Sequence, residues 1–346
     1  MERKLATIRQ IDNIQPIEGA DMIELATVGG WKVVVAKDVN HKVGDLVVYC
    51  EIDSFLPIEP EFEFLRKSSY KKMADGTEGF RLKTIKLRGQ VSQGLILPLK
   101  DAYEVFKRNT PNIDMDWFEG LEVTEMLNIV KYEPPVPAQL SGQVKGMFPS
   151  FLKKTDEERV QNLVKEFPIY KLAKFYVTEK LDGSSVTYYV KDGVFGVCSR
   201  NLDLLEDENN SMWKFAIESG LRDRLVGLGK NLAVQGEIIG EGIQGNPYKR
   251  IGQTVRIFNG FDIDKYDYLS LSELIELVKV LEVRTVPILD LDFTLPGTID
   301  ELLSYADSKS VLNEKFDREG VVIRSHDRKI SFKAISNKFL LNEKWN

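Results

Sequence analysis

The chain has 346 residues, a formal net charge of −6, two cysteines and two histidines. At roughly 150 residues per domain this length predicts about two domains, and a hydrophobic content of 43% is sufficient for packed cores. The low cysteine and histidine counts exclude a disulfide framework and metal sites rich in cysteine or histidine.

The first hundred residues have the pattern of short strands separated by turns. Gly29-Gly30 is a turn signal between two of these predicted strands. Short strands at regular spacing are typical of a small β-barrel or sandwich. The apolar runs that indicate the strands lie at 22–28, 31–36, 46–50, 80–87 and 94–99.

A strongly basic stretch lies within this β-rich region. Residues 66–88 contain eight lysines and arginines but only two acidic residues. Contacts with nucleic-acid phosphates need a basic surface of this kind, so Lys83, Lys86 and Arg88 are candidates for such contacts. A solvated charged loop is the alternative interpretation.

Residues 134–149 are the predicted linker between two domains. Four of these residues are prolines, which favours an irregular connection. The predicted domains are therefore 1–133 and 150–346. A long ordered loop inside a single domain is the alternative.

The region after the linker mixes helical and strand patterns, which predicts an α+β fold. Thr155-Asp156-Glu157-Glu158 has the form of a capping box and predicts a helix that includes Arg159. Two further helices are predicted at 209–223 and 270–282. Strands are predicted at 174–180, 185–190, 194–198, 234–239, 255–263, 320–324 and 330–335.

Lys180 is the most informative residue of this region. It ends a predicted strand, and Asp182-Gly183 follow it. A lysine held in this way can attack the α-phosphorus of a nucleotide and form a phosphoramide. Its ordinary pKa is about 10.4, so burial or a nearby cation has to promote loss of the proton. Alone the motif is weak, because a lysine beside a glycine turn is common.

Five further segments follow Lys180 in order, and together they make the signal specific. They are Ser199-Arg200-Asn201, Gly236-Glu237-Ile238, Phe258 to Ile263, Arg318-Glu319-Gly320 and Ser331-Phe332-Lys333. The series resembles the motifs of the covalent nucleotidyltransferase superfamily, which includes ATP-dependent DNA and RNA ligases and mRNA capping enzymes. It is most similar to RNA ligases that seal nicks in duplex RNA, and the two-domain layout resembles Naegleria-type RNA ligases. The motifs cover about residues 149–340, and the N-terminal resemblance is looser.

The resemblance implies an α+β architecture: an N-terminal OB-like β-barrel, then a nucleotidyltransferase domain of antiparallel sheets flanked by helices. It implies an ATP-dependent RNA ligase that joins 3′-OH and 5′-phosphate ends, at nicks in duplex RNA, through lysyl-AMP and RNA-adenylate. ATP and Mg²⁺ or Mn²⁺ are the implied cofactors. A cytoplasmic location is expected, with no obligate protein partner. No membrane span is expected, because no run of roughly 18 apolar residues occurs.

The resemblance also assigns roles to the candidate catalytic residues. Lys180 would accept the adenylate, and Lys333 would contact the α-phosphate and lower the pKa of Lys180. Glu319 would help to deprotonate that lysine. Asp182, Glu237 and Glu319 would hold the metal, largely through water.

The remaining candidates are nucleotide and RNA contacts. Glu179 and Arg200 belong to the implied ATP site. Phe261 would stack on adenine, and Phe258 is the other aromatic residue that could do so. The alternative for Phe261 is packing in a hydrophobic core. Possible phosphate or RNA contacts are Arg159, Lys154 and Ser185. The alternative interpretation is a solvated surface charge for Arg159 and Lys154, and simple turn chemistry for Ser185. Many relatives carry two lysines two residues apart in the last motif, whereas this chain has Lys333 and Ile335. Either Lys329 or Lys338 substitutes for the second lysine, or one cation is enough.

Two other functions compete with this hypothesis. DNA ligases and capping enzymes usually carry a barrel after the last motif, but only 13 residues follow Lys333, which favours an RNA ligase. A non-catalytic nucleic-acid binding protein would be expected to lose its nucleophile. The presence of Lys180, Glu237 and Glu319 argues against that alternative.

Overall fold

A computed structural model describes residues 3–73, 75–134 and 136–342. Its N-terminal half is built from four small sheets that enclose two adjoining cores. Within the described ranges, no helix has the length and apolar character needed to cross a membrane.

The N-terminal elements are mostly strands of three to six residues. The strands are β1 (Ala6–Gln10), β2 (Asn13–Pro16), β3 (Ile23–Val28), β4 (Trp31–Ala36), β5 (Leu46–Cys50), β6 (Ser54–Leu56), β7 (Tyr70–Lys72), β8 (Glu78–Arg81), β9 (Thr84–Leu87), β10 (Gln90–Gln93), β11 (Leu95–Pro98) and β12 (Val130–Lys131). The helices are α1 (Arg66–Ser69) and α2 (Leu99–Asn109).

These strands pair into sheets because their apolar residues alternate. In β4, Trp31, Val33 and Val35 are buried while the intervening residues are half-buried, which is the period of two expected for a strand with one covered face. The sheet orders are β1-β5-β11, β2-β3-β4, β12-β6-β8-β7 and the hairpin β9-β10. Helix α2 covers one core with Val105 and Phe106.

The C-terminal half alternates longer strands with helices. Its strands are β13 (Val144–Met147), β14 (Glu158–Arg159), β15 (Phe175–Lys180), β16 (Ser184–Lys191), β17 (Val194–Cys198), β18 (Leu202–Leu204), β19 (Leu232–Gly240), β20 (Gln253–Asp262), β21 (Asp267–Tyr268), β22 (Arg284–Thr285), β23 (Ile288–Phe293), β24 (Gly320–Ser325) and β25 (Ser331–Ile335). Its helices are α3 (Ala138–Ser141), α4 (Phe167–Tyr170), α5 (Ser211–Glu218), α6 (Leu221–Gly227), α7 (Leu271–Val280), α8 (Ile299–Ala306) and α9 (Asn337–Leu340).

Two sheets organise this half. The large sheet has the order β13-β18-β17-β16-β19-β20-β21, with β22 added in parallel to β20. The second sheet has the order β14-β25-β24-β15-β23. Helices α5, α6 and α7 cover one face of the large sheet, where Leu225 and Leu274 pack with Val234. The opposite face of the large sheet is thereby left for the site described below.

Two sequence predictions have different outcomes in this half. The helices predicted at 209–223 and 270–282 are confirmed as α5 with α6 and as α7. The helix predicted from the capping box at 155–158 is wrong, because residues 155–157 are irregular and Glu158–Arg159 forms β14, paired in parallel with β25. The long-range pairing overrides the local capping pattern. The predicted linker contains α3 and β13, and β13 joins the large sheet beside β18.

Specific polar contacts join the two halves. The backbone N–H of Gly30 donates to the carbonyl of Gln161 at 3.0 Å, and Trp31 Nε1 donates to Asn162 Oδ1 at 2.7 Å. Asn162 in turn donates to Glu51 Oε1 at 2.6 Å. These contacts fix the end of β5 next to the start of the second half.

Candidate active site

A cleft of about 510 Å³ lies where the two C-terminal sheets meet the N-terminal half. Strands β15, β16, β19, β24 and β25 line it together with the loops between them, and Arg3 and Asp53 contribute from the N-terminal half. The cleft brings together most of the candidate residues that the sequence predicted.

Lys180 lies at the end of β15 and points into this cleft. Its backbone is paired with Gly320 of β24, so the preceding residue, Glu319, comes within reach of its side chain. The distance from Lys180 Nζ to Glu319 Oε1 is 2.6 Å. Burial alone would lower the pKa of Lys180, but the carboxylates of Glu319 and Glu237 outweigh it and the pKa is raised. The amine is therefore held as an ammonium in the ligand-free protein, contrary to the expected lowering of its pKa by Lys333.

Three carboxylates surround this ammonium: Asp182, Glu237 and Glu319. Glu237 arrives from β19, opposite Ser185 of β16. Burial raises the pKa of Glu237 to about 8. Burial, and repulsion by Glu319, raise the pKa of Asp182 well above its usual range. Gathering acidic groups in this way disfavours their charged forms, and a bound cation would favour their ionisation.

The same carboxylates fit a hydrated divalent cation. The buried Oδ2 atom of Asp182 has no hydrogen-bond partner in the described part of the chain. Across the described residues, no group of three acidic, histidine or cysteine side chains is arranged to coordinate a metal directly. Mg²⁺ and Mn²⁺ keep several water ligands when carboxylates are few, so Asp182, Glu237 and Glu319 would hold the ion through water. Such an ion neutralises phosphate charge when bound.

A cluster of cations forms the other end of the cleft. Lys333 of β25 lies beside Arg159 of β14, its partner in the parallel pair. Burial, followed by repulsion from Arg159, Lys180 and Arg3, lowers the pKa of Lys333 to about 7. Buried Nε and Nη1 atoms of Arg159 have no hydrogen-bond partner among the described residues, while Nη2 donates to Asp53 at 3.2 Å. Unsatisfied cationic donors of this kind suit phosphate oxygens.

The aromatic prediction for the adenine is corrected by the structure. Phe261 is completely buried and packs in a core with Leu152 and Ala233, so it does not line the cleft. The segment that carries Leu152 covers this part of the strand. Phe258, three residues earlier on β20, lines the cleft and is the aromatic side chain available to a bound base.

The other predicted nucleotide contacts also lie at the cleft, and each of them already contacts another residue of the protein. Arg200 donates to Asp156 at 2.5 Å, and the Ser185 hydroxyl is 3.3 Å from that of Thr155. Glu179 is almost completely buried, and its carboxylate accepts the N–H of Val311 at 2.9 Å. The Glu179 side chain is therefore turned toward the 310–311 segment.

Several predicted cations lie outside the cleft. Exposed Lys154 contacts Asn201 at 3.4 Å. Neither Lys329 nor Lys338 lines the cleft within the described residues, and Lys329 is 82% exposed. The cation that lies beside Lys333 in the cleft is Arg159. The basic residues Lys83, Lys86 and Arg88 lie in or next to the β9–β10 hairpin, away from the cleft lining.

Three residues that line the cleft, and Tyr248 behind it, were not among the site residues predicted from the sequence. Arg3 is held by Glu51, with Nη2 to Oε2 at 2.8 Å, and Lys131 follows from β12. Arg324 of β24 pairs with Glu157 at 3.0 Å. Tyr248 accepts the backbone N–H of Asp182 at 2.6 Å and so anchors the loop after Lys180. Arg324 ends the strand predicted at 320–324, and Tyr248 ends the segment that follows Glu237, but the sequence patterns gave neither residue a role.

Comparison with known proteins finds relatives over both halves. A family model described as RNA ligase matches residues 173–337, and one described as an OB-fold domain matches residues 5–99. A search of curated proteins found no match.

Solved structures of an RNA ligase from Naegleria gruberi are similar over nearly the whole chain. A lysine-to-methionine variant with AMP and manganese is 45% identical, with a TM-score of 0.91, covering 99% of this chain and 100% of that one. A lysine-to-alanine variant with ATP and manganese is 45% identical, with a TM-score of 0.89 and coverages of 97% and 98%. The complex with pyrophosphate is 46% identical, with a TM-score of 0.89 and coverages of 98% and 98%.

Proposed function

Because the chain belongs to the RNA ligase family and is an ATP-dependent RNA ligase, we propose that it seals nicks in duplex RNA. It joins a 3′-OH end to a 5′-phosphate end. The observation that carries the proposed chemistry is the position of Lys180 Nζ, 2.6 Å from Glu319 and between a carboxylate cluster and a cation cluster. A nucleotide bound with its triphosphate toward the cations presents its α-phosphorus to this nitrogen.

The reaction proceeds in three transfers. In the first, the Lys180 ammonium loses a proton to Glu319, and the resulting amine attacks the α-phosphorus of ATP. A P–N bond forms, the bond to pyrophosphate breaks, and pyrophosphate leaves with the second proton of the nitrogen. In the second, an oxygen of the RNA 5′-phosphate attacks the same phosphorus and frees the lysine. In the third, the RNA 3′-OH attacks the activated 5′-phosphate, and AMP leaves.

Transfer of label from ATP to the protein tests the first step. The protein is incubated with α-labelled ATP and Mg²⁺ and separated on a denaturing gel. We expect a labelled band that disappears in Lys180→Ala. Lys191→Ala is the matched control, since Lys191 also ends a strand and is 33% exposed against 29% for Lys180. Undiminished labelling of Lys180→Ala would contradict the proposal.

Sealing assays test the substrate. The protein is given nicked RNA duplex, the same strands without the complementary strand, and nicked duplexes with DNA on the 3′-OH side. We expect sealing of the nicked RNA duplex to exceed both others, because the 2′-OH distinguishes RNA from DNA. Equal sealing of unpaired strands would remove the duplex preference and leave the ligase activity in place.

A further inference from the structure

Three arginines gather on the large sheet outside the cleft: Arg250, Arg256 and Arg284. Arg256 of β20 lies directly opposite Arg284 of β22 in the parallel pairing, so the two side chains leave the same face of the sheet. Arg250 belongs to the connection that leads from β19 into β20. We call these three residues the arginine triad.

The arginine triad has no ion-pair partner within the described part of the chain. There, none of the three guanidinium groups forms an ion pair or hydrogen bond with another residue, and buried Nε atoms of Arg250 and Arg256 are without partners. Burial, together with repulsion by Arg250 and Arg284, lowers the pKa of Arg256. Unpaired like charges with unsatisfied donors are costly, and an external anion removes that cost.

The triad lies on the same sheet face as the nucleotide cleft. Arg256 pairs across the strands with Glu237, which lines the cleft. Arg284 precedes Val286, another lining residue, by two positions, and side chains two apart in a strand share a face. Arg284 is exposed and Arg250 is half-buried, so the triad is open to solvent.

We propose that the arginine triad binds the phosphodiester backbone of the RNA beside the nick. The proposal rests on the proposed function: RNA whose 5′-phosphate reaches the adenylate on Lys180 continues over the surface that adjoins the cleft. Guanidinium groups match phosphate geometry through paired hydrogen bonds and retain their charge, which suits successive phosphates of one strand.

Charge reversal of the two more accessible arginines tests the site. Arg250→Glu/Arg284→Glu is compared with Lys214→Glu/Lys230→Glu, which changes the net charge equally. Lys214 lies on α5, on the helix-covered face of the sheet, and exposed Lys230 follows α6. Affinity for a nicked RNA duplex is measured over a range of salt concentrations. Transfer of label from ATP to Lys180, which involves no RNA, is measured separately.

The triad variant is expected to bind the nicked duplex at least about tenfold more weakly. The slope of log affinity against log salt should fall by about one for each phosphate that the variant no longer binds, while the control keeps the wild-type slope. Affinity and slope equal to those of the wild type would overturn the triad proposal and leave the ligase assignment standing. Absence of label transfer in the wild type would instead overturn the proposed chemistry. If the double variant loses label transfer, the single variant Arg284→Gln is measured in its place. Its slope of log affinity against log salt is expected to fall by about one.

Discussion

The two lysines of the cleft have opposite electrostatic environments. Lys180 lies among carboxylates and its pKa is raised, whereas burial and the neighbouring cations lower the pKa of Lys333 to about 7. Bound triphosphate would change the surroundings of Lys333, because anionic oxygens would offset the repulsion between Lys333 and Arg159. Protonation of Lys333 is therefore expected to be linked to nucleotide binding.

This linkage predicts proton uptake when ATP binds. Above pH 7 the free protein has a largely neutral Lys333, and the bound phosphates raise its pKa, so the complex takes up a proton. Affinity should be greatest below pH 7 and fall by up to about tenfold per pH unit as the pH rises through 7 toward the pKa of the complex. Calorimetry of MgATP binding to Lys180→Ala, in buffers with different ionisation enthalpies, measures the uptake without turnover.

A second substitution assigns this uptake to its residue. Lys333→Met in the Lys180→Ala background should remove the part of the proton uptake near pH 8 that belongs to Lys333, and should reduce the pH dependence of affinity accordingly. Lys329→Met is the control, since Lys329 is exposed and lies outside the cleft lining. The same uptake with and without Lys333 would contradict the assignment.

Among the elements, the β3–β4 turn determines how closely the two halves approach. A Cβ atom added to Gly30 would lie 2.7 Å from Gln161 Cα and 2.8 Å from its carbonyl oxygen, closer than van der Waals contact allows. Gly30 does not have a positive φ, so the restriction is steric and not conformational. The turn therefore tolerates only glycine while Trp31 keeps its bond to Asn162.

Gly30→Ala is expected to destabilise the protein by about 1–3 kcal/mol, as overpacking does. The melting temperature should fall by several degrees, and label transfer to Lys180 should weaken because Arg159 belongs to the same segment as Gln161. Differential scanning calorimetry and the adenylylation assay measure the two effects. Gly146→Ala is the control, since an added Cβ there meets nothing within 4 Å and Gly146 has no positive φ. Equal shifts in both variants would contradict the steric explanation.

The elements also show how far sequence reasoning extends. Helix α7 was predictable because a local capping box at Ser270 and Glu273 begins it and the structure retains both bonds. The similar pattern at 155–158 misled, because Glu158–Arg159 pairs with a strand more than 170 residues away in the sequence. Phe258 and Phe261 are both phenylalanines on strand β20. Only the segment that carries Leu152 and covers the sheet decides which of the two lines the cleft.

At the scale of the whole molecule, the cleft depends on contacts between the halves that no local pattern reveals. Lys180, Glu237 and Glu319 were predictable because each stands in a recognisable segment beside a strand. Arg3 and Asp53 were not, because they enter the site only through the pairing of β1 with β5 and through hydrogen bonds to Glu51 and Arg159. The N-terminal half thus supplies charges to a cleft whose central lysine, Lys180, lies in the other half.

Both halves also present basic surfaces. In the first, the β9–β10 hairpin carries Lys86 and Arg88, and Arg88 with Gly89 forms its tight turn at positive φ. In the second, the arginine triad lies beside the cleft. Neutralising Lys86 and Arg88, with or without Lys83, is expected to weaken nick binding and to flatten its salt dependence.

Combining the two sets of substitutions tests whether one RNA duplex contacts both surfaces. Decreases in binding energy from separated sites add when both contacts form in the same complex. Lys86→Ala/Arg88→Ala together with Arg250→Glu/Arg284→Glu should therefore lower log affinity by the sum of the separate decreases, and the decreases in salt slope should add likewise. Titrations of a labelled nicked duplex at several salt concentrations measure all four proteins of this cycle. A combined decrease no greater than the larger single decrease would mean that the two surfaces bind RNA in alternative complexes, and that the duplex at the nick does not span the two halves.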